Sequence, residues 1–334
     1  MKAIILKGFG SIDNFEMADL PIPTIQKGQI RIKIKAISFN PVDYQIRKEM
    51  PESRLVTSNI LGRDLSGIVD DADENVNDFK KGDEVICYVS NLASSGTYAE
   101  YICVPSAIVG KKPGCLSHEQ AASIPVAGIT ASLALTKTKA DKSKSIFIAG
   151  GAGGVGTFVI MFAKHSGLQN IITTAGNDKS LTYLIQNFQL KREQIIDYKD
   201  DNFINKALER NGGYFDIALD LVGGKMLSAC CKLLAIDGNL ASVTEAPSPG
   251  DFEILFQKNA SFHSIGANAY SLSDNQEVWK TYQHILNHIS KLFDSNAISK
   301  PPITIVGALS VETVKKAHEL LENNAVQGKL IMPF

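Results

Sequence analysis

Apolar and polar positions along the chain change rhythm twice and divide it into three stretches. In the first, roughly 115 residues long, apolar runs are short. Residues 29–35 alternate apolar and polar with period two, the mark of a half-buried strand. Residues 84–89 and 98–104 predict two more strands, set off by turns at Gly82-Asp83 and at residues 94–97. Short runs this closely spaced predict a β-rich unit. At Ser117 the rhythm changes. Ser117 and Gln120 have capping-box spacing, which opens a helix that Pro125 interrupts. Apolar runs at 146–149, 171–175, 215–221 and 239–243 are then separated by helix-length segments, the pattern of repeated βαβ units on a parallel sheet. In the tail, residues 279–296 and 311–323 predict amphipathic helices. The second has Val314, Ala317 and Leu321 on one face and Ser310 as N-cap, and residues 329–334 form a last strand. The fold class is therefore α/β: a doubly wound parallel sheet beside a β-rich unit.

The 334 residues suffice for two domains. With 34 basic and 35 acidic side chains, net charge −1, no overall field favours nucleic acid or an anionic membrane. Five cysteines without C-x-x-C spacing give neither a redox motif nor a zinc ribbon and fit reduced thiols in the cytoplasm. No signal peptide is expected from the charged start. Residues 146–163 form 18 positions without a charge, the lower edge of a spanning length. Five of the first eleven are glycine, so strand, tight loop and helix explain them better than a membrane helix.

That segment carries the chemistry. Gly151, Gly153 and Gly156 form G-x-G-x-x-G after an apolar strand and before a helix, the context in which the motif binds a dinucleotide. Glycines permit the turn and let the backbone approach a pyrophosphate, and the first-turn amides point their N–H groups at it. No acid ends the second strand at Ala175. Gly176 leaves room for a 2′-phosphate and Lys179 can neutralise it, so NADPH is favoured over NADH. Asp178 could serve a ribose hydroxyl or simply cap the next helix.

Other constellations read as structural. Arg63 and Asp64 are expected to form an ion pair, His284 and His288 to lie on a solvated helix face, and Cys230 and Cys231 to be packing thiols.

The chain resembles the zinc-free medium-chain dehydrogenase/reductases of the quinone oxidoreductase (zeta-crystallin-like) branch. The resemblance rests on Asn40-Pro41-Val42-Asp43, Leu61-Gly62-Arg63-Asp64-Leu65-Ser66-Gly67, Gly82-Asp83-Glu84-Val85, Gly96-Thr97-Tyr98-Ala99-Glu100-Tyr101 and the run from Ala121 to Ala131 ahead of the glycine loop. It implies a GroES-like catalytic domain built from residues 1–119 and 269–334, with a Rossmann NAD(P)-binding domain at 120–268 and a cleft between them. The last strand of that domain, residues 261–269, would pair with its copy in a homodimer. Zinc-dependent relatives have Cys at the position of Asn40 and His at that of Arg63, so no metal is expected. Without a Lewis acid, hydride delivery to a quinone or an α,β-unsaturated carbonyl is the accessible reaction. By the resemblance, Thr130 holds the carboxamide and Gly153, Gly154 and Val155 the pyrophosphate. Gly176, Lys179 and Tyr198 lie at the 2′-phosphate, Val222 at the adenosine, and Gly266 and Ala267 at the nicotinamide. Asn40 is the first candidate to donate to the acceptor oxygen, unless it only shapes a turn before Pro41, and Tyr44 is the second. Tyr198 could also be plain surface. Residues 47–58 and 244–258 would line the acceptor side. The alternative reading is an NADPH-binding structural or regulatory protein of crystallin type with little turnover.

Overall fold

The computed structural model describes residues 1–334, the side chain of Leu55 excepted. The chain forms two units, Met1–Ile129 with Asn268–Phe334, and Thr130–Ala267. The first unit begins with β1 (Lys2–Leu6), β2 (Phe15–Asp19) and β3 (Gln29–Ser38), followed by α1 (Pro41–Arg47). Then come β4 (Asp64–Ala72), β5 (Glu84–Tyr88), β6 (Tyr101–Pro105), β7 (Val109–Lys111) and α2 (His118–Ala122). In β3 the alternation works as expected: Ile30, Ile32 and Ile34 are buried. The Ser117 box forms at the head of α2, with each partner's side chain accepting the other's backbone N–H at 3.3 Å. Pro125 ends that short helix and opens the next one, α3 (Pro125–Lys137), where its missing N–H costs no hydrogen bond. The first crossover between units falls inside α3.

The second unit alternates without exception. Its elements are β8 (Ser145–Ala149), α4 (Gly154–His165), β9 (Asn170–Ala175), α5 (Asp178–Phe188), β10 (Ile195–Asp197) and α6 (Phe203–Asn211), then β11 (Phe215–Asp220), α7 (Lys225–Leu233), β12 (Leu234–Ser242), α8 (Pro249–Gln257) and β13 (Ser261–Ser264). The sheet order is β10-β9-β8-β11-β12-β13 and every pairing is parallel, so the order reverses between β8 and β11. Every residue of β8 is buried, as a strand covered on both faces requires. Phe147 and Phe215 meet with ring centroids 5.5 Å apart in a core that includes Leu227, Leu233 and Leu240.

The chain then returns to the first unit through α9 (Gln276–Asp294), β14 (Ile303–Ile305), α10 (Val311–Glu322) and β15 (Lys329–Pro333). Strand β15 pairs antiparallel with β3, completing a seven-stranded sheet. Ser310 caps α10 by accepting the Thr313 N–H at 3.1 Å.

Two expected strands are corrected. Residues 98–104 do not form one strand. The Tyr98 carbonyl accepts from Ile4 N–H and Ala99 bridges Ala3, so the extended chain changes partner before β6 begins at Tyr101. The strand expected over 261–269 stops at Ser264, and a 3-10 helix follows over Ala267–Leu272. No helix of the described residues is long and apolar enough to cross a membrane, and residues 146–163 are strand, loop and helix.

Candidate active site

In the second unit, five expected contact positions follow the carboxyl ends of parallel strands: Gly153 after β8, Gly176 after β9, Tyr198 after β10, Val222 after β11 and Gly266 after β13. Ligands bind open α/β sheets at this edge, at the point where strand order reverses. There, Val222 from the β11 side lies over Gly150, whose Cβ, if present, would sit 2.8 Å from Val222 Cγ2. The buried Asp220 carboxylate sets the Val222 loop. One oxygen accepts the Val222 and Gly223 N–H groups at 3.1 and 2.9 Å, the other the Ser242 and Thr244 hydroxyls.

The three motif glycines have different reasons to be glycine. A Cβ on Gly151 would lie 2.1 Å from Thr173 Oγ1, and one on Gly156 would lie 2.4 Å from the Gly150 carbonyl. Both are demanded by the protein's own packing. At Gly153 the nearest atom would be 3.4 Å away and φ is −78°, so nothing in the fold forbids a side chain there. Its open side is where a phosphate would come close. Gly153 is the N-cap of α4, and the following amides of Gly154, Val155 and Gly156 have no acceptor within the helix. Two threonines that the glycine motif does not include hold the loop: Thr173 Oγ1 accepts Gly151 N–H at 3.1 Å and Thr174 Oγ1 accepts Gly150 N–H at 3.0 Å. Their signal in the sequence is a pair of hydroxyls where a buried parallel strand normally carries aliphatics.

Gly176 and Tyr198 come together, because a Cβ on Gly176 would meet the Tyr198 ring at 2.4 Å. Tyr198 stays 45% exposed, a ring whose free face is open to a ligand. Lys179 is exposed in the first turn of α5. The cap of that helix is Asn177, whose side chain accepts Ser180 N–H at 2.9 Å. The capping role considered for Asp178 therefore belongs to its neighbour, and Asp178 is the first helical residue. Thr130 is buried on α3, while Gly266 and Ala267 lead out of β13.

In the first unit, Asn40 is buried at the start of α1. Its side-chain oxygen accepts from Lys329 Nζ at 2.6 Å. Its amide donates to Asp64 Oδ2 at 2.9 Å and lies 3.5 Å from the Ser38 carbonyl. Lys329 is itself buried. It reaches Asp64 at 3.0 Å and the Phe39 carbonyl at 3.2 Å, while the second Asp64 oxygen accepts Val126 N–H at 2.7 Å. The expected Arg63–Asp64 ion pair does not form. Adjacent residues at a strand entrance project to opposite sides, and Asp64 pairs with Lys329, far away in sequence. Arg63 instead donates to the Val89 carbonyl at 3.4 Å. Sequence reasoning missed Lys329, and parity along β15 would not have found it, because Leu330, Ile331 and Met332 are all buried. Tyr44 is half-buried on α1, with Lys48 Nζ 6.0 Å from its ring centre.

A second buried group adjoins α1. Asp43 accepts the Asn40 N–H at 2.8 Å, and burial pushes its carboxyl up to about 7. Tyr98 bonds His318 Nε2 at 3.1 Å, and burial, then the nearby Arg47 charge, pull His318 down to about 3. His284 and His288 are exposed on α9, and Cys230 and Cys231 are buried thiols. Among the described residues no group of three or more His, Cys, Asp or Glu side chains converges as metal ligands would.

Known proteins match this arrangement over its whole length. Residues 26–114 match the alcohol dehydrogenase GroES-like domain, and residues 190–332 match a domain described as zinc-binding dehydrogenase. The chain is 30% identical to the 2-methylene-furan-3-one reductase of Solanum lycopersicum, over 99% of this chain and 79% of that protein. It is 28% identical to the chloroplastic NADPH-dependent alkenal/one oxidoreductase of Arabidopsis thaliana, with the same coverage. Among solved structures, the quinone oxidoreductase from Coxiella burnetii superposes with a TM-score of 0.83 at 30% identity, covering 100% of this chain and 99% of that one.

Proposed function

The chain belongs to the medium-chain dehydrogenase/reductase family, in its quinone oxidoreductase branch, and from that premise we propose how it works. It is an NADPH-dependent oxidoreductase that transfers hydride to a quinone or an α,β-unsaturated carbonyl. The observation that carries the reading is Gly153: a glycine that the fold does not require, at the mouth of α4 and at the switch point of the sheet.

When bound, NADPH supplies a hydride from the nicotinamide ring. The chain supplies position and charge. Gly154 and Val155 would receive the pyrophosphate on backbone amides with the helix dipole behind them, and Gly153, whose own N–H is held by the Gly150 carbonyl, would give it room to come close. Gly176 and Tyr198 form a floor for the 2′-phosphate and Lys179 the counter-charge, while Val222, Thr130, Gly266 and Ala267 border the remaining nucleotide. A conjugated acceptor spreads incoming charge onto its oxygen, and a hydrogen-bond donor there lowers the barrier. Tyr44 becomes the first candidate for that donor. The Asn40 amide is held by Asp64 and Lys329, so Asn40 acts through them and is the second.

We also propose that no zinc takes part. The donor chemistry supports this: an amide, a guanidinium and an ammonium stand where a cation would need thiolate or imidazole. The outer edge of β13, at the end of the sheet order, supports a homodimer, and the five free cysteines support the cytoplasm.

The test is NADPH oxidation with an ortho-quinone and an α,β-unsaturated ketone, with and without chelator. Turnover indifferent to chelator is expected. In Lys179→Ala the KM for NADPH should rise about tenfold with little change for NADH, the worth of one charge-assisted contact. Tight NADPH binding without turnover on any acceptor would overturn the reductase reading.

A further inference from the structure

The first unit contains an open pocket. Ile46, Val56 and Leu61 give it apolar walls, and Thr57 and Ser90 give it hydroxyls. The one charged residue among its lining is Arg63, and no acid lines it. Arg63 is 6% exposed. A guanidinium has five N–H donors, yet among the described residues it makes a single long hydrogen bond, to the Val89 carbonyl, and no ion pair. The neighbouring acid in sequence, Asp64, is taken by Lys329. Asp43 is a weak counter-charge, because burial pushes its carboxyl up to about 7.

Buried charges are normally paired, since desolvation is costly and a partner offsets it. Here the charge of Asp43 acts on Arg63 without a close ion pair, and Arg63 borders a pocket. The planar guanidinium fork matches a carboxylate with two parallel hydrogen bonds. We propose that Arg63 is the specificity-determining residue of the acceptor pocket, and that it selects conjugated acceptors bearing a carboxylate. The inference rests on the reductase reading for its word acceptor, but the binding it describes does not depend on turnover.

The matched probes are β-acetylacrylate and its methyl ester as acceptors, and levulinate and methyl levulinate as unreactive analogues. With the full-length protein and NADPH, kcat/KM for the acid should exceed that for the ester by about tenfold or more, as expected of a hydrogen-bonded charge pair. Arg63→Met should erase that ratio, and Arg63→Lys should keep part of it. By calorimetry, levulinate should bind the wild-type protein and bind Arg63→Met about tenfold more weakly. Arg63→Met removes a buried charge that has no close ion pair, so its thermal midpoint should not fall, and a fallen midpoint would instead assign Arg63 a structural role. Equal rates for acid and ester, an equal loss on both in Arg63→Met, or no levulinate binding would each overturn the proposal. Levulinate binding that needs Arg63, without NADPH oxidation by any acceptor, would leave the pocket assignment standing and remove the reductase reading.

Discussion

The glycine loop at the head of α4 and the polar network around Asn40 are both buried or half-buried, but they are built in opposite ways. The loop is a matter of backbone. Its parts lie within a few residues of one another, and what each needs is the absence of a side chain. The network is a matter of side chains drawn from β4, the head of α1 and β15, with Lys329 separated from Asp64 by 265 positions. Backbone sites tolerate no added atom where the fold is tight and do tolerate one where a ligand belongs. Side-chain networks tolerate no missing charge.

The largest expected effect tests the first half of that contrast. Gly156→Val places a branched side chain 2.4 Å from the Gly150 carbonyl, a backbone atom that cannot step aside. Loss of NADPH binding together with a lowered thermal midpoint is expected. Gly153→Ala meets nothing closer than 3.4 Å, so its midpoint should stay at the wild-type value while NADPH affinity falls about tenfold. Calorimetry and thermal unfolding on the two variants separate the effects. Equal destabilisation by both would mean that Gly153 also serves the fold.

Next in size is the network. Lys329→Met leaves the Asp64 carboxylate buried without its ion-pair partner, a change that costs about 3–5 kcal/mol. Adding Asp64→Asn should recover much of the loss, since the uncompensated charge goes with it. Denaturant unfolding of the two single variants and the double variant measures the coupling. Additive losses would show that the two side chains do not act as a pair.

The same contrast explains how much can be read from the chain alone. The parallel strands at 146–149 and 171–175, the caps at Ser117 and Ser310, and the glycine loop are local, and local patterns carry local structure. β13 falls short of its expected length because extended sequence does not reveal where pairing ends. Tyr98 pairs outside β6 for the same reason. Arg63 and Asp64 look like a pair because they are adjacent, and strand geometry sends them apart. Lys329 gives no parity signal, since β15 is buried on both faces, and which carboxylate a buried lysine meets is decided by topology. The Asn40 amide shows the consequence, since its residue type suggests a free donor and its surroundings use it up.

The smallest expected effect concerns two groups that flank Tyr98 and oppose each other. Asp43 has its carboxyl raised by burial from 3.8 to about 7. The folded state therefore holds this proton more tightly than the unfolded chain, and the associated stability is present below about pH 4 and is lost as pH rises through about 7. His318 is the reverse. Burial and then Arg47 lower it from 6.5 to about 3, so its contribution is present above about pH 6.5 and is lost as pH falls through about 3. Between roughly pH 4 and 6.5 one slope falls and the other rises, and the wild-type protein should be nearly flat with respect to this pair. Asp43→Asn keeps an acceptor for the Asn40 N–H and removes one of the two slopes. The variant should be more stable than wild type at pH ~8, by about 1 kcal/mol or more, and should lose stability on acidification where the wild type does not. Urea unfolding of both proteins across that range reads the difference directly. Parallel curves would mean that Asp43 titrates in its ordinary range, and that the carboxyl between Asn40 and Tyr98 is not the desolvated group its burial makes it.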